Sequence, residues 1–159
     1  MAAPAVLFLA ACQTSAPLST VHARIFRGPK DSTAFAAADV AHFCKGNGVL
    51  FDAISGANGV LAWVRGPSAL TPGTYPLLGR ADSSTPRGAL VAVRFILHDI
   101  AHGFPVDSGV LTLTTAGPTY RARIQGSGTD LGLATKSTVD ITIDSIKPRS
   151  DTLACGAKE

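Results

Sequence analysis

The chain predicts an all-β fold: a single antiparallel β-sandwich or barrel of about eight or nine strands, ending in a meander. Three observations carry that expectation. Residues 108–146 hold three runs of alternating side chains, Val110–Thr115, Thr119–Gln125 and Ser137–Ile146. Leu111, Leu113, Tyr120, Ala122, Ile124, Val139, Ile141 and Ile143 fall on one face, with Thr, Arg and Asp on the other, as a strand's two-residue period requires. Gly (16) and Pro (10) are scattered singly, the punctuation of short strands joined by turns. Finally, 159 residues at 46% hydrophobic and 16% charged suit one domain with a full-sized core, not a disordered chain.

Taken in order, Ala5-Val-Leu-Phe-Leu-Ala-Ala11 is an apolar run too short to span a bilayer, which takes about 20 residues, and it has the length of a signal-peptide core. It ends at Leu9-Ala-Ala-Cys12, which resembles the lipobox of bacterial lipoproteins. The resemblance covers the leader alone. It implies that Cys12 is acylated and becomes the first mature residue, that 1–11 is a signal peptide, and that 12–20 is a polar tether to a single β domain at 21–159. No Lys or Arg precedes Arg24, and a translation start further upstream would supply the missing positive region. Of three cysteines, assigning Cys12 to lipid leaves Cys44 and Cys155 to pair as a disulfide in an oxidising compartment.

Thr20–Phe26 alternates weakly and reads as a first strand, closed by Gly28-Pro29. Residues 32–44 are Ala-rich at the start and strand-like at Val40–Cys44; a strand is the better reading. Gly48–Ile54 and Val60–Arg65 flank Ser55-Gly-Ala-Asn-Gly59, a hairpin signal, with Trp63 expected in the core. Leu70–Tyr75 turns into a short strand, and Ala81–Gly88 is a polar loop expected to be the most mobile. Gly88–Leu97, apolar on both faces, suits a strand covered on both sides. Gly103 and Pro105 then break the chain before the meander, whose strands are joined by Ala116–Thr119 and the loop Gly126–Gly132. In that meander Arg121 and Arg123 face Asp140 and Asp144 across neighbouring strands, Arg121 close to Asp144 and Arg123 between the two acids.

The motif with most chemical content is His98-Asp-Ile-Ala-His102. It resembles the metallopeptidase motif H-E-x-x-H with Asp99 in place of Glu. On a helix the two imidazoles could hold one zinc while the carboxylate activates water. On a strand the histidines stand about 13 Å apart and cannot share an ion. No further His follows, and Glu159 is the only Glu, so a third ligand is missing.

A net charge of +3 is spread along the chain without a basic stripe or interleaved aromatics, which argues against a nucleic-acid partner. No G-x-S-x-G or phosphate-loop spacing occurs, and Gly126–Gly132 misses the dinucleotide pattern. The sequence therefore favours a non-catalytic β domain without cofactor, held to a bacterial envelope membrane through its N-terminal lipid. This resembles other small envelope lipoproteins with a β domain. A small zinc hydrolase using His98, Asp99 and His102 is the alternative.

Overall fold

Strands and turns make up the described part of the computed structural model, residues 20–130 and 132–155. The leader, Cys12 and the tether as far as Ser19 lie outside the described residues. The strands are β1 (Thr20–Gly28), β2 (Asp31–Cys44), β3 (Gly48–Ser55), β4 (Asn58–Arg65), β5 (Gly73–Pro76), β6 (Gly88–Leu97), β7 (Ile100–Val106), β8 (Ser108–Thr115), β9 (Tyr120–Asp130), β10 (Thr135–Ile146) and β11 (Pro148–Leu153). Ten of them form one path, β5-β8-β9-β10-β1-β2-β3-β4-β6-β7, every neighbour antiparallel. β11 lies off the path and pairs with β2 in parallel.

This is an all-β fold, as the alternation predicts, with the meander β8-β9-β10 in place. The architecture differs from the expectation in being one sheet curled into a half-barrel, with eleven strands, not eight or nine. The curl brings β7 against the last residues of β9: Asp107 N–H donates to the Ser127 carbonyl at 3.2 Å. Gly128 allows that approach, because a Cβ there would overlap the Pro105 carbonyl oxygen. The two added strands are β7, where Gly103 and Pro105 sit inside a strand at the end of the sheet path, and the short, mostly exposed β11. A proline needs no ladder partner for its nitrogen at an edge, so it does not end β7. Residues 32–44 are strand throughout, and β9 runs on to Asp130 through the stretch expected to be loop.

One face of each strand fills the interior. Val21, Ala23 and Ile25 of β1, Phe51 of β3, Val91, Val93 and Phe95 of β6 and Ile141 and Ile143 of β10 are all buried. Among the described residues one curled sheet has no second layer over its outside, and this corrects two expectations. The β6 outer residues Ala92 and Arg94 are exposed, so that strand is covered on one side. Trp63 lies on the outer face, half-buried, in a cross-strand row with Leu50 and Leu90.

The outer surface divides into two halves. On β8, β9, β10 and β1 it carries Thr112, Arg121, Arg123, Asp140, Thr142 and Arg24. Arg123 holds Asp140 with two hydrogen bonds, at 2.9 and 2.7 Å, and Arg121 Nε lies 3.9 Å from Asp144, in line with the expected cross-strand pairing. The Arg123 hydrogen bonds keep the Asp140 carboxyl below its usual range. On β2, β3, β4 and β6 the outward residues include Ala34, Ala36, Ala38, Leu50, Ile54, Leu61, Trp63, Leu90 and Ala92.

Candidate functional site

His98 and Asp99 form the two-residue turn between β6 and β7, since Leu97 pairs directly with Ile100. Both have positive φ, 49° and 64°, as a tight hairpin turn matched to the strand twist requires. His102 lies on β7 opposite Phe95 and is buried. The motif is thus a turn and a strand, not a helix, and its side chains are set on different parts of the hairpin. Among the described residues no cluster of three or more His, Cys, Asp or Glu side chains gathers as a metal-binding group.

His102 belongs to a buried polar layer that the sequence reading missed. Its Nδ1 is 3.3 Å from Asp130 Oδ2, and Asp130 has no exposed surface. Asp130 Oδ1 accepts the N–H groups of Gly132 at 2.8 Å and Leu133 at 3.3 Å, which fixes the tip between β9 and β10. The imidazole stacks on Phe95 with ring centroids 5.5 Å apart, and the Arg27 guanidinium stands 5.2 Å from the centre of that same ring. Arg27, whose side chain is 3% exposed, donates from Nε to Asp31 at 3.0 Å and from Nη2 to Thr33 at 2.9 Å. Those bonds hold the Asp31 carboxyl below its usual range, and His98 adds to the effect, so the β1–β2 and β6–β7 turns meet at this end. Ser137, also fully buried, pairs with Gly128. Arg27 Nη1, His102 Nδ1, Asp130 Oδ2 and Ser137 Oγ are buried without a hydrogen-bond partner. With Asp130 and Ser137 sealed from solvent, the layer ties hairpin tips together and presents no accessible nucleophile.

A second buried acid lies toward the other end. Asp39 has the inward parity of Ala37 and Ala41 on β2, just past the point where β1 begins with Thr20 opposite Ala38 and before β11 begins with Pro148 opposite Ala41. Burial pushes its carboxyl up to about 7. The N–H groups of Val40 and Asp52 pull the other way, yet neither carboxyl oxygen meets hydrogen-bond geometry, so desolvation dominates. Beyond it, Cys44 and Cys155 form the expected disulfide, with Cα atoms 5.3 Å apart. The Lys45 N–H to Leu153 carbonyl bond at 2.8 Å and the His42–Asp151 contact at 2.9 Å hold β11 beside them.

Two surface hollows lie elsewhere among the described residues. The loop at Gly66–Thr71 and the Tyr75 and Arg87 side chains enclose about 50 Å³, with the Tyr75 hydroxyl donating to the Thr71 carbonyl at 2.8 Å. A larger groove of about 230 Å³ lies on the apolar outer half, between Ile54, Leu61, Ala92, Asp52 and Arg94. Ile54 is 54% exposed and Leu61 45%, side by side on this groove. The polar loop expected to be mobile is organised by Asp82, whose carboxylate accepts from Ser84 N–H at 3.0 Å and Thr85 N–H at 2.8 Å.

Arg27, Asp39 and Ser137 could have been found by parity, since each continues the inward series of its strand. Asp130 could not, because it lies in a stretch read as loop. No known protein family, curated protein or solved structure matches this chain.

Proposed function

We propose that this chain is a lipid-anchored, non-catalytic β domain of a bacterial envelope, with a binding or architectural role. The observation that carries the reading is the pairing of Cys44 with Cys155, which leaves Cys12, at the end of Leu9-Ala-Ala-Cys12, as the remaining cysteine of three. A disulfide is at home in an oxidising compartment, and an acylated Cys12 would give the odd thiol a use. The half-barrel adds support of a weaker kind: the buried Asp130 carboxyl accepts two N–H groups of a hairpin tip, while Ile54 and Leu61 stand exposed on one outer face.

The test is Cys12→Ser in the full chain expressed in a bacterium behind a positively charged leader region. The natural chain is expected in the membrane fraction, with a mass showing loss of 1–11 and gain of acyl groups; the variant should be unprocessed or soluble. Equal partitioning and an unmodified mass for both chains would remove the lipid anchor.

A further inference from the structure

We infer that the apolar outer half, centred on Ile54, Leu61 and Trp63, is a membrane-contact face that lies on the lipid surface to which the tether leads. This deepens the proposed anchoring and rests on it for the direction of the tether.

The argument begins with what the face lacks. Across Leu50, Asp52, Ile54, Leu61, Trp63, Arg65, Leu90, Ala92 and Arg94 one acid and two bases occur, and Arg65, over the Trp63 ring, is held by Asp82, whereas the opposite half carries a charge or hydroxyl on most outward positions. A contiguous exposed apolar surface of this kind marks a contact site. It holds the single tryptophan, half-buried, and amphipathic Trp rings favour the boundary between water and acyl chains. The groove between Ile54, Leu61 and Ala92 offers a place for apolar chain ends.

The exit point of the chain identifies the occupant. Thr20 pairs with Ala38, Ala38 with Ile54, Ile54 with Gly59 and Gly59 with Arg94. The tether therefore enters the sheet on the cross-strand row that crosses the groove. Two strand spacings, roughly 10 Å, separate Thr20 from Ile54. The eight residue steps from Cys12 to Thr20 reach at most about 27 Å, so a lipid held at Cys12 keeps its bilayer within range of this face. Shape decides against a second copy. The outside of a curled sheet is convex, and two rigid convex faces touch along a narrow line, while a lipid surface yields around one. With Asp52 and Arg94 balanced, attraction comes from apolar burial and not from headgroup charge, so salt should matter little.

Trp63 is its own reporter. The full chain carrying Cys12→Ser, which removes the acyl group, is mixed with phosphatidylcholine or phosphatidylglycerol vesicles whose acyl chains bear bromine. The expected result is loss of Trp63 emission and a shift to shorter wavelength with both lipids, persisting in high salt and abolished by Ile54→Asp with Leu61→Asp. Circular dichroism of that variant checks that the fold survives; Ala92→Asp on the same groove serves if it does not. A natural chain that sediments with vesicles while its Trp63 emission is unmoved keeps the lipid anchor and overturns the face. Quenching of the natural chain, with Cys12 intact and shown by mass to carry no acyl group, supports the face and removes the anchor. Two other occupants each overturn the inference. One is a second copy, seen as a dimer without vesicles that Leu61→Asp separates. The other is the chain's own leader, seen as a vesicle-free Trp63 emission that moves with Leu7→Asp and Leu9→Asp.

Discussion

Asp39 and Asp130 are both inward-facing carboxyls on long central strands, and the molecule treats them in opposite ways. Asp130 is met by two backbone N–H groups and lies beside His102, with Arg27 and Ser137 in the same layer. Asp39 sits among alanines with neither oxygen bonded, and its carboxyl rises to about 7. Burial alone does not set the cost of an acid. The backbone around it does: a tight tip can turn its N–H groups to a carboxyl oxygen, and a straight strand that has committed its N–H groups to neighbours cannot.

The largest effect should come from Asp39→Asn. Its carboxyl holds a proton more tightly folded, at about 7, than at the ordinary 3.8. The stability from that proton is fully present below about 3.8 and is lost as pH rises through about 7. Removing the ionisable group should therefore stabilise the fold above pH 7 by on the order of 2 to 4 kcal/mol and change little near pH 4. Urea midpoints at the two pH values check this, and a gain that is equal at both would mean that the carboxyl is not the cause.

The same change at Asp130 should have the opposite sign. Asp130→Asn keeps one acceptor for the two tip N–H groups but turns an amide NH2 toward His102 in a sealed site, and is expected to cost roughly 1 to 3 kcal/mol. Faster amide exchange at Gly132 and Leu133 should accompany it. If both substitutions stabilise, the contrast between the two sites is lost.

On the wet face the difference should nearly vanish. Replacing Arg121 and Arg123 together with Thr should leave the urea midpoint nearly unmoved, since Arg121 and Arg123 are 57% and 54% exposed and solvent screens them. A clear shift of that midpoint would show that this face carries stability in the way the buried layer does.

Much of the fold was legible because the two-residue period survives wherever one face is buried. β1, β3, β4, β8, β9 and β10 all follow it, and the Arg121 and Arg123 pairing came directly from register. What was not legible depends on curvature. Gly126 and Gly128 look like loop residues because loops are rich in glycine, yet they are strand positions pressed against β7 by the curl. Trp63 looks like core because large aromatics are usually buried, and only the absence of a second layer puts it outside. The same cause hid the buried layer: His102 was singled out for its distance from His98 along the chain, while its partner Asp130 comes from the far side of the curl. The pairing of Cys44 with Cys155 was readable once the lipobox resemblance set Cys12 aside.

The placement of β1 has a mechanical consequence. The ring closed by Cys44 and Cys155 contains β3 to β11 and leaves out β1 and nearly all of β2. A pull on the chain at Thr20, directed along β1, therefore bypasses the covalent bond. It falls on two ladders at once, since β1 is paired to β10 from Thr20 to Phe26 and to β2 from Thr20 to Gly28. Loaded lengthwise, those hydrogen bonds must fail together, whereas a sideways pull would open them one at a time. A domain pulled at Thr20 is thus strongest in the direction in which β1 runs out of the sheet.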